Sequence, residues 1–259
     1  MFDQLIADIA AWPEVEAIAL GGSRAGKHYD EKSDYDVYLY CTAPIADPVR
    51  REVLNRYCSY MELGNHFWEF EDNCTLKNGI DIDILYRNLD DFTAGLADVV
   101  ERCNPHNGYT TCMWHNLLTC KILVDKTGRL TASKKRFDVP YPDALRANII
   151  SRNDMLLEGT LPAYEMQIRK AILRGDLVSV NHRVSAFLES YFDILFALNR
   201  RTHPGEKRLV SLCKENCSLL PEYFEANLND LFQNMFTDAE RTIAALGRII
   251  EEIRKIYKF

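Results

Sequence analysis

The chain has no apolar run approaching the roughly 20 residues that a membrane-crossing helix needs, and no Cys-x-x-Cys pair among its eight cysteines. It is also short of positive charge, with 31 Lys and Arg against 38 Asp and Glu and a formal net charge of −7. The first lack predicts no membrane partner. The opening MFDQLIADIAAW carries an aspartate inside its apolar stretch and lacks the basic start of a signal peptide, so it reads as an amphipathic helix and the expected location is the cytoplasm. In a leaderless chain of this size the cysteines are expected to be reduced thiols, mostly buried. Cys213 and Cys217 form the only metal-like helical spacing. With no second pair and no histidine partner they read as small apolar residues on a buried helix face rather than as a zinc site. The acidic balance argues against nucleic acid as a partner, because binding a phosphate backbone demands a basic surface. A nucleoside triphosphate carried with its own magnesium escapes that argument.

What is present is a large apolar fraction, 47% of 259 residues, enough to bury a substantial core and to build two domains. The first half reads as alternating short elements: a helix at Phe2–Trp12, strands at Val15–Leu20 and Tyr35–Tyr40, and a helix from about Pro48 to Leu63. Strands follow at Phe67–Phe70 and Ile80–Tyr86, the second after the turn signal Lys77-Asn78-Gly79. From about Pro142 long helical patterns take over. Tyr164, Ile168 and Ile172 share a face. Gly175-Asp176 supplies a stop and then an N-cap for a helix carrying Val184, Phe187, Tyr191, Leu195 and Leu198 on one stripe. The last helix opens on Thr237-x-x-Glu240, a capping box, and turns Ile243, Leu246, Ile250, Ile253 and Tyr257 inward. The predicted fold class is α+β: an N-terminal mixed sheet with flanking helices over residues 1–138, then an all-helical domain over 139–259.

The segment that carries chemistry is Gly21-Gly22-Ser23-Arg24-Ala25-Gly26, followed by Ser33-Asp34-Tyr35-Asp36-Val37. Residues two apart on a strand project from one face, so Asp34 and Asp36 present paired carboxylates while Tyr35 and Val37 point into the core. Unscreened, such like charges repel. A hard cation removes the conflict, since magnesium takes oxygen ligands and keeps room for waters and substrate phosphates. The glycines come directly off an apolar strand, where backbone N–H groups and the Ser23 hydroxyl can approach a phosphate closely. The alternating run Ile80-Asp81-Ile82-Asp83-Ile84 offers a third carboxylate from a neighbouring strand, and periodicity leaves Asp81 and Asp83 equally placed. Three carboxylates and a phosphate-cradling turn are the parts that metal-assisted phosphoryl transfer requires.

Gly-Gly-Ser, then Asp-x-Asp, then a later strand aspartate is a pattern similar to the nucleotidyltransferase fold of DNA polymerase β, the aminoglycoside and lincosamide nucleotidyltransferases and the small MNT-type proteins. The resemblance covers about Val15 to Arg87. Further along, Tyr141-Pro142, Arg174-Gly175-Asp176, Leu195-Phe196-Ala197-Leu198-Asn199-Arg200 and Pro204-Gly205-Glu206-Lys207 resemble a bacterial and archaeal family of nucleotidyltransferase proteins with a C-terminal domain of unknown function. The resemblance implies that Asp34 and Asp36 are paired metal ligands and Ser23 the phosphate-turn serine. It also favours Asp83 over Asp81 as the third ligand, because the family aspartate directly precedes a run like Ile84-Leu85-Tyr86. The implied cofactor is magnesium or manganese, with a nucleoside triphosphate such as ATP as donor and an unidentified hydroxyl compound or protein as acceptor. Gly21, Gly22, Arg24 and Lys207 are expected nucleotide contacts. Arg24 reads equally as a solvated turn residue and Lys207 as the start of a surface helix; Asn199 reads as a helix C-cap or a substrate contact, and His106 as a plain loop histidine before a contact to nucleotide or acceptor. A general base belongs to related drug-modifying enzymes, and Asp176 and Glu189 are candidates without a geometric argument for either.

Rival readings are weaker. Gly21-x-x-x-x-Gly26-Lys27 is one residue short of a Walker A loop, has His28 where Ser or Thr should hold magnesium, and runs on into Tyr29-Asp30-Glu31-Lys32 rather than into a long helix. A nucleotide-binding regulator with little turnover is the main alternative, because a metal site can outlive catalysis. No Arg-x-x-x-x-His ribonuclease pattern supports a toxin reading, and an interaction module without a nucleotide site leaves the carboxylate pattern unexplained.

Overall fold

A computed structural model of the chain describes residues 1–26, 33–67 and 69–257. Lys27, His28 and the Tyr29–Lys32 stretch that distinguish the chain from a Walker A protein lie outside the described residues, as does Trp68. The chain divides into two compact units, Met1–Ala97 with Asn116–Val139, and Asp98–His115 with Pro140–Phe259. A single cut at 138/139 leaves Asp98–His115 with the first domain; by its contacts this segment belongs to the second unit.

The first unit runs α1 (Phe2–Ala10), β1 (Val15–Leu20), α2 (Gly22–Ala25), β2 (Tyr35–Cys41), α3 (Asp47–Tyr57), β3 (Cys58–Asn65), β4 (Glu71–Leu76), β5 (Asp81–Arg87) and α4 (Leu89–Val100). It resumes partway along α5 (Cys112–Thr119), at Asn116, and continues with β6 (Lys121–Asp125) and α6 (Arg129–Phe137). Among the described residues the strands form one mixed sheet in the order β3-β4-β5-β2-β1-β6. Only β2 and β5 run parallel; every other neighbouring pair is antiparallel. One face of the sheet supplies Ile18, Val37, Leu39, Cys74, Ile82 and Ile84 to an apolar cluster with Leu5, Ile9, Val53 and Leu54 from α1 and α3. Full burial of side chains this size stabilises the unit by about 1.5 to 3 kcal/mol each.

Two elements differ from the sequence reading. The helix expected to run to Leu63 stops at Tyr57, and Cys58–Asn65 pairs as a strand with β4. Val53, Leu54, Tyr57 and Met61 fit helical spacing, yet Met61 and Leu63 pack on the core from a strand. The strand expected at Phe67–Phe70 begins instead at Glu71, and 67, 69 and 70 are bends. Its polar start Glu71-Asp72-Asn73 hides a strand because Asp72 faces inward, fully buried. There it pairs with Arg50 of α3 and accepts from Tyr86 Oη at 2.7 Å and Gly64 N at 2.9 Å. A buried carboxylate is tolerable only when its charge and lone pairs are met in this way.

The second unit carries α7 (Asp143–Leu157), α8 (Tyr164–Leu173), α9 (Leu177–Leu198), α10 (Leu209–Asn216), α11 (Phe224–Asn234) and α12 (Ala239–Tyr257). Together with the sheet unit this is the α+β class expected. Gly175 takes φ +65° and Asp176 caps α9, accepting from Ser179 N at 3.0 Å. The α12 cap is shifted by one residue from the expected box: Asp238, not Thr237, accepts from the Arg241 N–H at 3.0 Å. Within the unit, buried Asp193 of α9 accepts from Thr110 N at 3.1 Å, Thr110 Oγ1 at 2.6 Å and Asn153 Nδ2 at 3.2 Å, which ties the 106–111 loop to the helices. Burial pushes its carboxyl up to about 6 against those hydrogen bonds. No helix among the described residues is long and apolar enough to cross a membrane.

Candidate metal and nucleotide site

β1 is followed by Gly21, whose N–H donates to the Asp36 carbonyl at 2.7 Å and so pins the turn to β2. Gly22 follows with φ +56°, and a Cβ built on it would collide with the Asp36 carboxylate. Glycine is therefore required here twice, for a left-handed backbone and for the closeness of the turn to an acid. Gly21 is buried against the Tyr38 ring, leaving no space for a side chain. Gly22 and Ser23 are exposed, at the start of the one-turn α2.

Asp36 is the second residue of β2, and Asp34 lies just before the strand. In the parallel ladder Asp36 stands directly opposite Asp83. Strands pair at about 4.8 Å, so two aspartates at one register position are brought together by the backbone itself. Asp34, Asp36 and Asp83 each offer a carboxylate oxygen, all within 4.8 Å of one another, and all three are partly exposed. Like charges at that separation repel by roughly 1 to 3 kcal/mol per pair, the lower figure applying where water reaches them. Oxygens bound to one magnesium at about 2.1 Å lie roughly 3 to 4 Å apart, so modest side-chain rotation brings this donor set around one ion. Three hard carboxylate donors, part-exposed, fit magnesium or manganese. Asp81 is not in the cluster; it is exposed and accepts from Thr75 Oγ1 at 2.7 Å.

Beyond Asp83 the row continues. Asn73 of β4 faces Asp83 across the antiparallel ladder and donates from Nδ2 to Asp83 Oδ1 at 2.8 Å. Glu71, buried two residues away, has its carboxyl pushed up by burial first and by the Asp83 charge second, with the Asn73 hydrogen bond opposing. Sequence reasoning passed over both, because β4 was misplaced; the signal available was the alternation Glu71, Asn73, Thr75 beside the aspartate strand.

The remaining residues singled out from sequence are held locally. Arg24 donates from Nε to the Ser33 carbonyl at 2.6 Å, with its guanidinium 4.0 Å over the Tyr35 ring. Lys207 is exposed in the turn ahead of α10, in the second unit. Asn199 is a cap, donating to the Leu195 and Leu219 carbonyls at 2.8 and 2.9 Å and accepting from Leu219 N. His106 is exposed, and Asp176 is occupied by capping. Glu189 lines a cavity of about 400 Å³ inside the second unit together with Tyr109, Phe192 and Arg208, and burial raises its carboxyl. All eight cysteines are free thiols, six of them buried. Cys213 and Cys217 lie one helical turn apart in the second unit, with the Cys217 N–H donating to the Cys213 carbonyl at 2.8 Å.

Residues 109–209 match a family described as a domain of unknown function (DUF4037), and the motifs from Tyr141 to Lys207 quoted above fall inside that span. No curated protein matches the chain in sequence. Among solved structures the chain is similar to a nucleotidyltransferase-like protein from Exiguobacterium sibiricum 255-15, at 11% identity over 99% of this chain and 78% of that one, with a TM-score of 0.46. It is also similar to an aminoglycoside 6-adenyltransferase from Bacillus subtilis, at 10% identity over 100% of this chain and 90% of that one, with a TM-score of 0.31. Both likenesses are remote. The matched span takes in β6 of the mixed sheet as well as α7, α8 and α9, and the Gly-Gly-Ser turn lies ahead of it.

Proposed function

We propose that the chain is a metal-dependent nucleotidyltransferase that moves a nucleoside monophosphate from a nucleoside triphosphate to a hydroxyl of a small molecule or protein and releases pyrophosphate. The observation that supports this reading is the convergence of Asp34, Asp36 and Asp83 within 4.8 Å of one another, beside a turn whose Gly22 must lack a side chain because Asp36 lies against it. Asp34, Asp36 and Asp83 hold magnesium or manganese. When bound, the ion supplies charge neutralisation and activation of the attacking oxygen. Gly22 and Ser23 offer backbone and hydroxyl donors to the triphosphate, and their exposed setting leaves them open to it, while the expected contact from Gly21 is replaced by a role in holding the turn, because its N–H is given to the Asp36 carbonyl. In the transfer the acceptor oxygen bonds to the α-phosphorus, the bond from that phosphorus to the β-bridging oxygen breaks, and the acceptor proton passes to solvent or a base.

The test has two readouts. Manganese or magnesium with a triphosphate raises the melting temperature, and Asp36→Asn removes most of that rise while the metal-free protein melts as before. Label carried on the α-phosphate then appears in one or more of a panel of hydroxyl acceptors, with pyrophosphate released in equal amount. Equal ligand stabilisation in Asp36→Asn sinks the metal assignment. Metal-dependent stabilisation without transfer to any acceptor points to a nucleotide-binding regulator.

A further inference from the structure

The row of facing residues that runs from the cluster to the sheet edge is Asp36 on β2, Asp83 on β5, Asn73 on β4 and Glu62 on β3. Its side chains are hydrogen-bonded in series. Asn73 Nδ2 donates to Asp83 Oδ1 at 2.8 Å, Asn65 Nδ2 donates to Asn73 Oδ1 at 2.6 Å, and the same Asn65 nitrogen donates to Glu62 Oε2 at 3.1 Å. Each carboxylate at the ends only accepts, so the two amides between them can take a single orientation. Turning the Asn73 amide over would set its oxygen against Asp83 and its NH2 group against that of Asn65. The Asn73 bond engages one oxygen of Asp83, and among the described residues the other oxygen has no hydrogen bond.

We propose that Asn73 is a positioning residue for the metal site: it holds the Asp83 carboxylate turned so that its second oxygen faces Asp34 and Asp36, and Asn65, anchored by Glu62, holds Asn73 the right way round. This rests on the metal reading of the three aspartates. A carboxylate ligand free to rotate loses orientational freedom on binding the ion, whereas one already hydrogen-bonded does not; outer partners of this kind are worth about 10- to 100-fold in metal affinity. Asn65 acts at two removes, through the direction of a single amide. Its substitution by aspartate replaces the donor facing Asn73 Oδ1 with an acceptor, which favours the turned-over amide and sets an oxygen against Asp83.

The experiment titrates the full chain with manganese alone, following free Mn2+ by electron paramagnetic resonance, and measures the metal-free melting temperature of every variant. Asp83→Asn is expected to abolish site-specific binding. Asn73→Leu, similar in size and without donors, is expected to raise the Kd at least tenfold, and Asn65→Asp several-fold, while Asn65→Gln stays nearer the wild type than Asn65→Asp. A merely structural role for Asn73 would lower the melting temperature without moving the Kd. Wild-type Kd in both Asn73→Leu and Asn65→Asp, with binding lost in Asp83→Asn, overturns the positioning role and leaves the metal site standing. Wild-type Kd in Asp83→Asn overturns both. Should Asn73→Leu fail to fold, Asn65→Asp, at a part-exposed position near the sheet edge, decides by itself: a wild-type Kd there overturns the relay.

Discussion

Gly22→Ala separates backbone strain from damage to the site. Gly22 holds φ +56°, a conformation that costs a residue with a Cβ about 1 to 3 kcal/mol. The added methyl also occupies the place of the Asp36 carboxylate, which must swing out of the cluster. Gly79, in the turn between β4 and β5, has φ +82° and nothing within 4 Å of a Cβ built on it, so Gly79→Ala imposes comparable strain with no collision. Both variants are therefore expected to lose about 1 to 3 kcal/mol of metal-free stability in urea unfolding. They should part when ligand is added. At 100 times the Kd, manganese and ATP stabilise the wild type by about 2.7 kcal/mol. A 100-fold weaker site leaves about 0.4 kcal/mol at the same concentration. Gly79→Ala should keep the larger increment and Gly22→Ala fall to the smaller. Full ligand stabilisation in Gly22→Ala, or an equal loss in Gly79→Ala, would refute the claim that this turn and Asp36 form one ligand site.

Two more outcomes follow from the geometry. Asp83→Asn should abolish nucleotidyl transfer while Asp81→Asn keeps appreciable activity, because only Asp83 belongs to the cluster and Asp81 bonds to Thr75; steady-state rates of the two variants that reverse this order would overturn the ligand assignment. Asp193, pushed up to about 6 by burial, binds more protons folded than unfolded between about pH 4 and 6. Stability from this group is thus greatest below its unfolded value and falls as pH rises through that window, by roughly 2 to 3 kcal/mol, then levels off. The stability difference between wild type and Asp193→Asn, measured by urea unfolding from pH 4 to 7, should change by that amount, and a difference independent of pH would contradict the buried-carboxylate account.

The sequence alone determined the class of the fold and the parts of the candidate site. Strict alternation placed Ile82 and Ile84 in the core and Asp83 on the opposite face, and the stripe from Val184 to Leu198 made α9 a buried helix. These signals are local, since side-chain direction repeats every 2 or 3.6 residues whatever the partner. What periodicity could not do was choose between Asp81 and Asp83, two residues apart on one face. That choice belongs to register: β5 runs parallel to β2 with Asp83 opposite Asp36, a pairing between residues 47 positions apart that no local pattern encodes. The same limit hid β4. Its polar residues look solvent-facing in sequence, and only the tertiary partners Arg50, Tyr86 and Gly64 make a buried Asp72 possible. With β4 misplaced, Asn73 and its bond to Asp83 were out of reach. The assignment of Asp98–His115 to the helical unit was likewise decided by contacts made far along the chain, among them Thr110 to Asp193. Hydrogen bonds from a loop to a buried carboxylate leave no period in either segment, so the fold alone reveals them.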